Sequence, residues 1–190
     1  MPSRPSIRID GLRGAPAEEI VAFLSDLNSA YSHLWAFELT VSDLEPVSER
    51  RWLERAKKPP TLRPIKDVLR IVYPEEKLVL TKAAIESPGF WEFLGSLNPL
   101  REIREFLNDR HRRRQDREYR ERAEARRLEL ENVEIETRII ERWITILRRA
   151  GYAEKDIRRF VTIHVHDPLT SLARHVDAGL IGGASIEEHQ

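Results

Sequence analysis

Asn98 to Ala150 reads NPLREIREFLNDRHRRRQDREYRERAEARRLELENVEIETRIIERWITILRRA, with no glycine anywhere and no proline after Pro99. Asn98 suits a helix N-cap, and Pro99 suits the first helical position. Leu100, Ile103, Phe106 and Leu107 then form an apolar stripe at helical spacing. From Asn108 to Arg127 there is no Leu, Ile, Val, Phe or Met, and nine arginines alternate with five acids. Pairs such as Asp116 with Arg120 and Glu118 with Arg122 stand at i,i+4, where opposite charges support a solvated helix. Apolar residues return at Leu128, Ile135, Ile139, Trp143 and Ile146, close to a heptad seam, with Val133, Ile140 and Leu147 on an adjoining face. The simplest expectation is one helix of about 50 residues, roughly 75 Å long. A broad apolar face at the end of a polar shaft needs cover, from a fold-back of the chain or from other subunits.

Upstream, the pattern predicts a small α+β head of order β-α-β-β-β with a packed helix. Ile7 and Ile9 alternate with Arg8 and Asp10, as in a strand ended by Gly11. Ala15-Pro16-Ala17-Glu18-Glu19 opens a helix with Ile20, Phe23, Leu24 and Leu27 inward. Leu34 to Val41 reads as a second strand, and residues 42–64, rich in proline and charge, as a loop. Val68–Tyr73 and Leu78–Ile85 read as a hairpin. Phe90, Trp91 and Phe93 crowd one stretch after Ser87-Pro88-Gly89, either as a lid on the core or as an interface anchor. Downstream, Gly151 ends the long helix, and Ile157, Phe160 and Val161 mark a short amphipathic one. Asp167-Pro168 opens another, and the last residues, from Gly182, are expected to fray. These readings divide the chain into a head (1–107), a stem (108–150) and C-terminal helices with a tail (151–190).

Composition narrows the function. The 190 residues are 41% hydrophobic and 34% charged, and Lys+Arg and Asp+Glu number 32 each. A generally basic nucleic-acid binder is not indicated. The absence of cysteine excludes disulfides, thiolate metal sites and thiol catalysis. No apolar run reaches a membrane span and no apolar signal core opens the sequence, so a cytoplasmic protein is expected. His164 and His166, with His175 beyond, could hold a metal if they lay on a strand, but packed or solvated histidines are the simpler reading. No catalytic, cofactor-binding or metal-binding residue is assigned. Arg110, Arg112, Arg113, Arg114 and Arg117 could follow a phosphate backbone, meet an acidic partner, or form a solvated face.

The run Ser87-Pro-Gly-Phe-Trp-Glu-Phe-Leu-Gly-Ser-Leu-Asn-Pro-Leu, with Ile103-Arg104 and Arg110-His-Arg-Arg-Arg, resembles the TRADD N-terminal-like module of bacterial conflict and signalling proteins. The likeness spans roughly residues 5–120. It implies an adaptor acting by association, with no catalytic residues, and an effector supplied by a separate protein. The first expectation is therefore a non-enzymatic, self-associating adaptor or scaffold. Its contacts would be Phe90, Trp91 and Phe93 on the head and Ile135, Ile139, Trp143 and Ile146 on the stem. Nucleic-acid binding through the arginines is the alternative, and a metal-dependent hydrolase comes third.

Overall fold

A computed structural model describes residues 4–12, 14–42, 76–84, 88–119 and 141–187, with backbone alone for 116–119. The fold is α+β. Its strands are β1 (Ser6–Gly11), β2 (Val79–Ala84), β3 (Gly89–Leu94) and β4 (Ile181–Glu187), antiparallel in the order β2-β3-β1-β4. The helices are α1 (Ala17–Ser42), α2 (Leu97–Tyr119), α3 (141–149), α4 (Glu154–Val161) and α5 (Asp167–Asp177). Among the described residues no helix is long and apolar enough to cross a membrane.

Alternation decides which face of the sheet is dry. Ile7 and Ile9 are fully buried, opposite Phe93 and Trp91 on one side and Ile186 and Ala184 on the other. These side chains meet α1, α2 and α5, and Trp91 packs on Phe23 of α1 with ring centroids 5.2 Å apart. On the opposite face Arg8 lies over the Phe90 ring at 3.7 Å, and Lys82 pairs with Glu92 at 3.3 Å. The aromatic run at 90–93 is thus a strand, not a lid over the sheet. Its period of two sends Trp91 and Phe93 inward and Phe90 outward.

α1 absorbs the stretch expected to be a second strand. Leu34, Trp35, Ala36 and Phe37 are consecutive and all buried, because this end of α1 is enclosed on more than one side. Phe37 meets Trp143 of α3 at 4.6 Å and Phe160 of α4 at 4.8 Å, both edge-on. A short continuous apolar run carries no period that separates a strand from an enclosed helix. Tyr31 fixes the same helix to the sheet. Its hydroxyl donates to the Glu76 carbonyl at 2.7 Å and accepts the Ser96 N–H at 2.8 Å.

The tail is ordered where fraying was expected, since β4 lies beside β1 and Ile181 is fully buried. Gly179, at φ 71°, makes the reversal that α5 needs before β4 begins. Its Leu180 N–H reaches back to the His175 carbonyl and its own N–H to that of Val176, closing the helix end. Gly151, at φ 83°, ends α3 in the same way, as the sequence suggests.

The start of Asp167-Pro168 as a separate helix is also corrected. α4 and α5 join through a wide π-helical turn, Thr162–His166, and Asp167 has helical φ −64° and ψ −46°. Proline inside a helix lacks an N–H and crowds the carbonyl four residues back. The π turn stands immediately before Pro168 and widens the backbone there. Both ends of the expected 50-residue helix are helical. Its middle, with Ile135 and Ile139, lies outside the described residues, as does the strand expected at Val68–Tyr73. α3 folds back onto α1, so the chain itself covers Trp143 and Ile146, each 9% exposed. Residues from Ile7 to Ala184 share one apolar core.

Candidate interaction site

α2 carries the arginine run, and three of its members are committed to the fold. Arg110 grips Asp177 of α5 with two hydrogen bonds, Nε to Oδ1 at 2.8 Å and Nη2 to Oδ2 at 2.5 Å. Arg113 is buried and ion-paired with Asp109 one turn earlier. Arg114 donates to the Val176 carbonyl at 3.1 Å and lies against Gly179. Arg112 is exposed, its Nε directed at the Asn108 carbonyl. It lines an open groove of about 530 Å³ with Arg104, Asn108 and Ser185. The side chain of Arg117 lies outside the description. A continuous row of phosphate-facing guanidinium groups is therefore not what α2 presents. Two of its arginines, Arg110 and Arg114, clamp α5.

The expected contact aromatics are spent as well. Trp91 and Phe93, at 5% and 3% exposure, belong to the core, as do Trp143 and Ile146, which leaves Phe90 half-buried under Arg8. None of those four buried side chains offers a surface to a partner.

The histidines disperse, because they stand on a helix and not on a strand. His166 turns to Asp167 at 3.2 Å, and His175 donates its Nε2–H to Asp26 Oδ2 of α1 at 2.9 Å. Among the described residues no three His, Asp or Glu side chains converge as a metal shell. His164 instead faces a histidine that the sequence did not single out. His33 of α1 has its Nδ1 3.0 Å from the Ile163 carbonyl and 3.3 Å from Nδ1 of His164. A carbonyl only accepts, so His33 Nδ1 bears the proton and His164 Nδ1 presents a lone pair. Ile163 stands five residues before Pro168, which has no N–H to offer a π-helical carbonyl, and His33 fills that vacancy. Burial, reinforced by His33, pushes His164 down to about 4. Burial also lowers His33, against the opposing influence of the Ile163 bond and the Asp167 charge.

A carboxylate group lies where α1 crosses α2. Asn98 donates its side-chain N–H to Glu38 rather than capping the helix, and burial raises the Glu38 carboxyl. Glu102 is raised to about 7, first by burial and then by the charges of Glu105 and Glu38. Its Oε2 is buried and has no hydrogen-bond partner among the described residues.

The two outer strands differ most in what they offer. Along β4, the Asn108 side chain acts like a peptide group of a fifth strand. Its Oδ1 accepts the Ala184 N–H at 2.6 Å and its Nδ2 donates to the Ala184 carbonyl at 2.8 Å. α2 lies over that edge. Along β2, five of six residues are exposed, including Val79 at 40% and Leu80 at 46%. Among the described residues β2 pairs only with β3. The one charge that could discourage strand addition, Lys82, is drawn to Glu92. The sequence read β2 as one arm of a hairpin, whose other arm, Val68–Tyr73, lies outside the described residues. A lone Asn108 in a charged run carried no sign that it would close the other edge. Compared with protein-family models, with curated proteins and with solved structures, the chain matches none of them.

Proposed function

We propose that the chain is a non-enzymatic, self-associating adaptor or scaffold that binds by strand addition at β2. The observation that carries the reading is the inequality of the two sheet edges. A helix and an asparagine close β4, while β2 exposes Val79 and Leu80 and, among the described residues, pairs with β3 alone. Exposed edges of this kind recruit another strand, with main-chain hydrogen bonds giving affinity and alternate side chains giving selectivity. A second copy fits that edge. Antiparallel pairing about a two-fold axis sets Leu80 against Ala83 and Thr81 against Lys82, so no like charges face each other. The likeness to the TRADD N-terminal-like module points the same way, towards association as the activity and a separate effector protein as the downstream component. Phe90 is the one member of the aromatic set with a place near such a contact, and the stem residues Ile135 and Ile139 remain candidates for a second one.

The test is light scattering coupled to size exclusion at low and high salt. The wild type is expected at a multiple of 22.2 kDa that persists in high salt. Thr81→Pro puts into the edge strand a residue that cannot donate to a further ladder, and should return the monomer mass. A wild-type monomer at both salts, or an oligomer indifferent to Thr81→Pro, would overturn the reading.

A further inference from the structure

One proton, shared between two acceptors, ties the π turn to α1. His33 of α1 directs its Nδ1–H at the Ile163 carbonyl, 3.0 Å away, and at the His164 Nδ1, 3.3 Å away. His164 is 5% exposed, with Phe160 edge-on at 4.2 Å, whereas His33 is half-buried. A second proton is tolerated on one ring and not on the other. Added at His33 Nε2, it leaves both contacts in place, because the Nδ1–H still points at its two acceptors. Added at His164 Nδ1, it sets N–H against N–H. His33 could then accept only by giving up its own Nδ1 proton, which takes from the Ile163 carbonyl the donor that His33 supplies. Protonation of His164 thus breaks one of the two contacts, whichever tautomer His33 adopts.

We propose that the pair is an acid-released latch: a proton taken up by His164 parts the π turn from α1 and uncovers Phe160, which the latch holds against Phe37. The π turn packs on α1, α4 and α5. Among the described residues, His33 is the charged group that bears on His164, and Asp167 is the one that bears on His33. From α4, Phe160 faces His164 and brings no charge. Burial first, and then His33, holds His164 at about 4 in the closed form, against an ordinary value of 6.5. Burial lowers His33 too, with the Ile163 bond and the Asp167 charge opposing it. In the parted form His164 is wet and titrates at its ordinary value. Between 6.5 and about 4 the open form therefore carries a proton that the closed form lacks. Closure is at full strength above about pH 6.5 and weakens as pH falls, the open fraction rising about tenfold per pH unit until about 4. The latch involves no residue of β2 and does not rest on the association reading.

The experiment uses the full chain and follows amide hydrogen exchange across this pH range, as protection relative to the intrinsic rate, together with the ring resonances of the histidines. Protection in the π turn, Thr162–His166, should fall about tenfold per pH unit below about 6.5, with the β1–β3 ladder still closed. His164→Gln, which keeps an acceptor for His33 and cannot titrate, should flatten that fall. His166→Gln, at the exposed neighbour, should leave it unchanged. Should His164→Gln fail to fold, the wild-type rings carry the test, since His33 should titrate first and His164 only near pH 4. Protection in the π turn that ignores pH, a fall that survives His164→Gln or is abolished by His166→Gln, or a His164 ring that titrates before His33 overturns the proposal.

Discussion

β2 and β4 flank the same sheet, yet they are treated in opposite ways. β4 has its outward backbone groups at Ala184 taken up by Asn108, and α2 lies along it. β2 has five exposed residues and only β3 for a neighbour among the described residues. An unprotected edge is a liability that folded proteins ordinarily blunt. Among the described residues one is blunted and the other pairs on one side only. That difference is what the proposed association at β2 rests on.

Removing the cover should have the largest effect. Asn108→Ala strips two hydrogen bonds from Ala184 and leaves both backbone groups partly buried without their partner. A loss of about 1–3 kcal/mol in urea unfolding is expected. Hydrogen exchange at the Ala184 amide should quicken while the amides of β2 stay as they were. If β4 then behaves like β2, new higher-mass species will appear in light scattering.

A smaller effect follows from pH, acting through the helix that carries Asn108. Glu102 on α2 has its carboxyl raised to about 7 by burial and by neighbouring acids. Between its ordinary value near 4.5 and about 7, the folded chain holds a proton that the unfolded chain has lost. Stability from this group is therefore fully present below about pH 4.5, falls as pH rises, and is gone above about 7. Partial exposure limits the change to on the order of 1 kcal/mol. Glu102→Gln should flatten that part of the pH profile, and urea midpoints at pH 5 and 8 will show whether it does.

The least effect on stability is expected at the open edge. Leu80→Ser exposes little that is not already exposed and should change unfolding by less than about 0.5 kcal/mol. Its mass in light scattering should nonetheless fall, if β2 is the contact. A stability change as large as that of Asn108→Ala would show that β2 is covered after all.

Much of the framework is legible in the sequence. The alternation at Ile7 and Ile9, the helix start at Ala15-Pro16 and the stripe from Leu100 to Leu107 all name their elements, because one face of each is buried and the other is wet. The misreadings share a cause. Leu34–Phe37 is enclosed on several sides and shows no period. Trp91 and Phe93 alternate in only two positions, too few to separate a strand from a crowded turn. β4 is rich in glycine and lacks the bulky alternation of a strand, so its order comes from β1 and α2 rather than from its own residues. The candidate site was less legible. Asn108 and His33 act through partners 76 and 130 positions away, and no local pattern reports such distances.

The pairing of β1 with β4 has a consequence for the order of assembly. Ile7 faces Ile186 across the ladder, so a strand from the start of the chain takes its second neighbour from nearly the other end. Such a contact carries a large loop-closure cost and forms late. On the ribosome, β1 and β3 can pair while β4 is still inside the exit tunnel, and until it emerges β1 has a bare flank of its own. For that interval β1 is bare along the flank that β4 later covers. The time between synthesis of β3 and β4 is then the period when β1 is most exposed to mispairing and a chaperone would matter most.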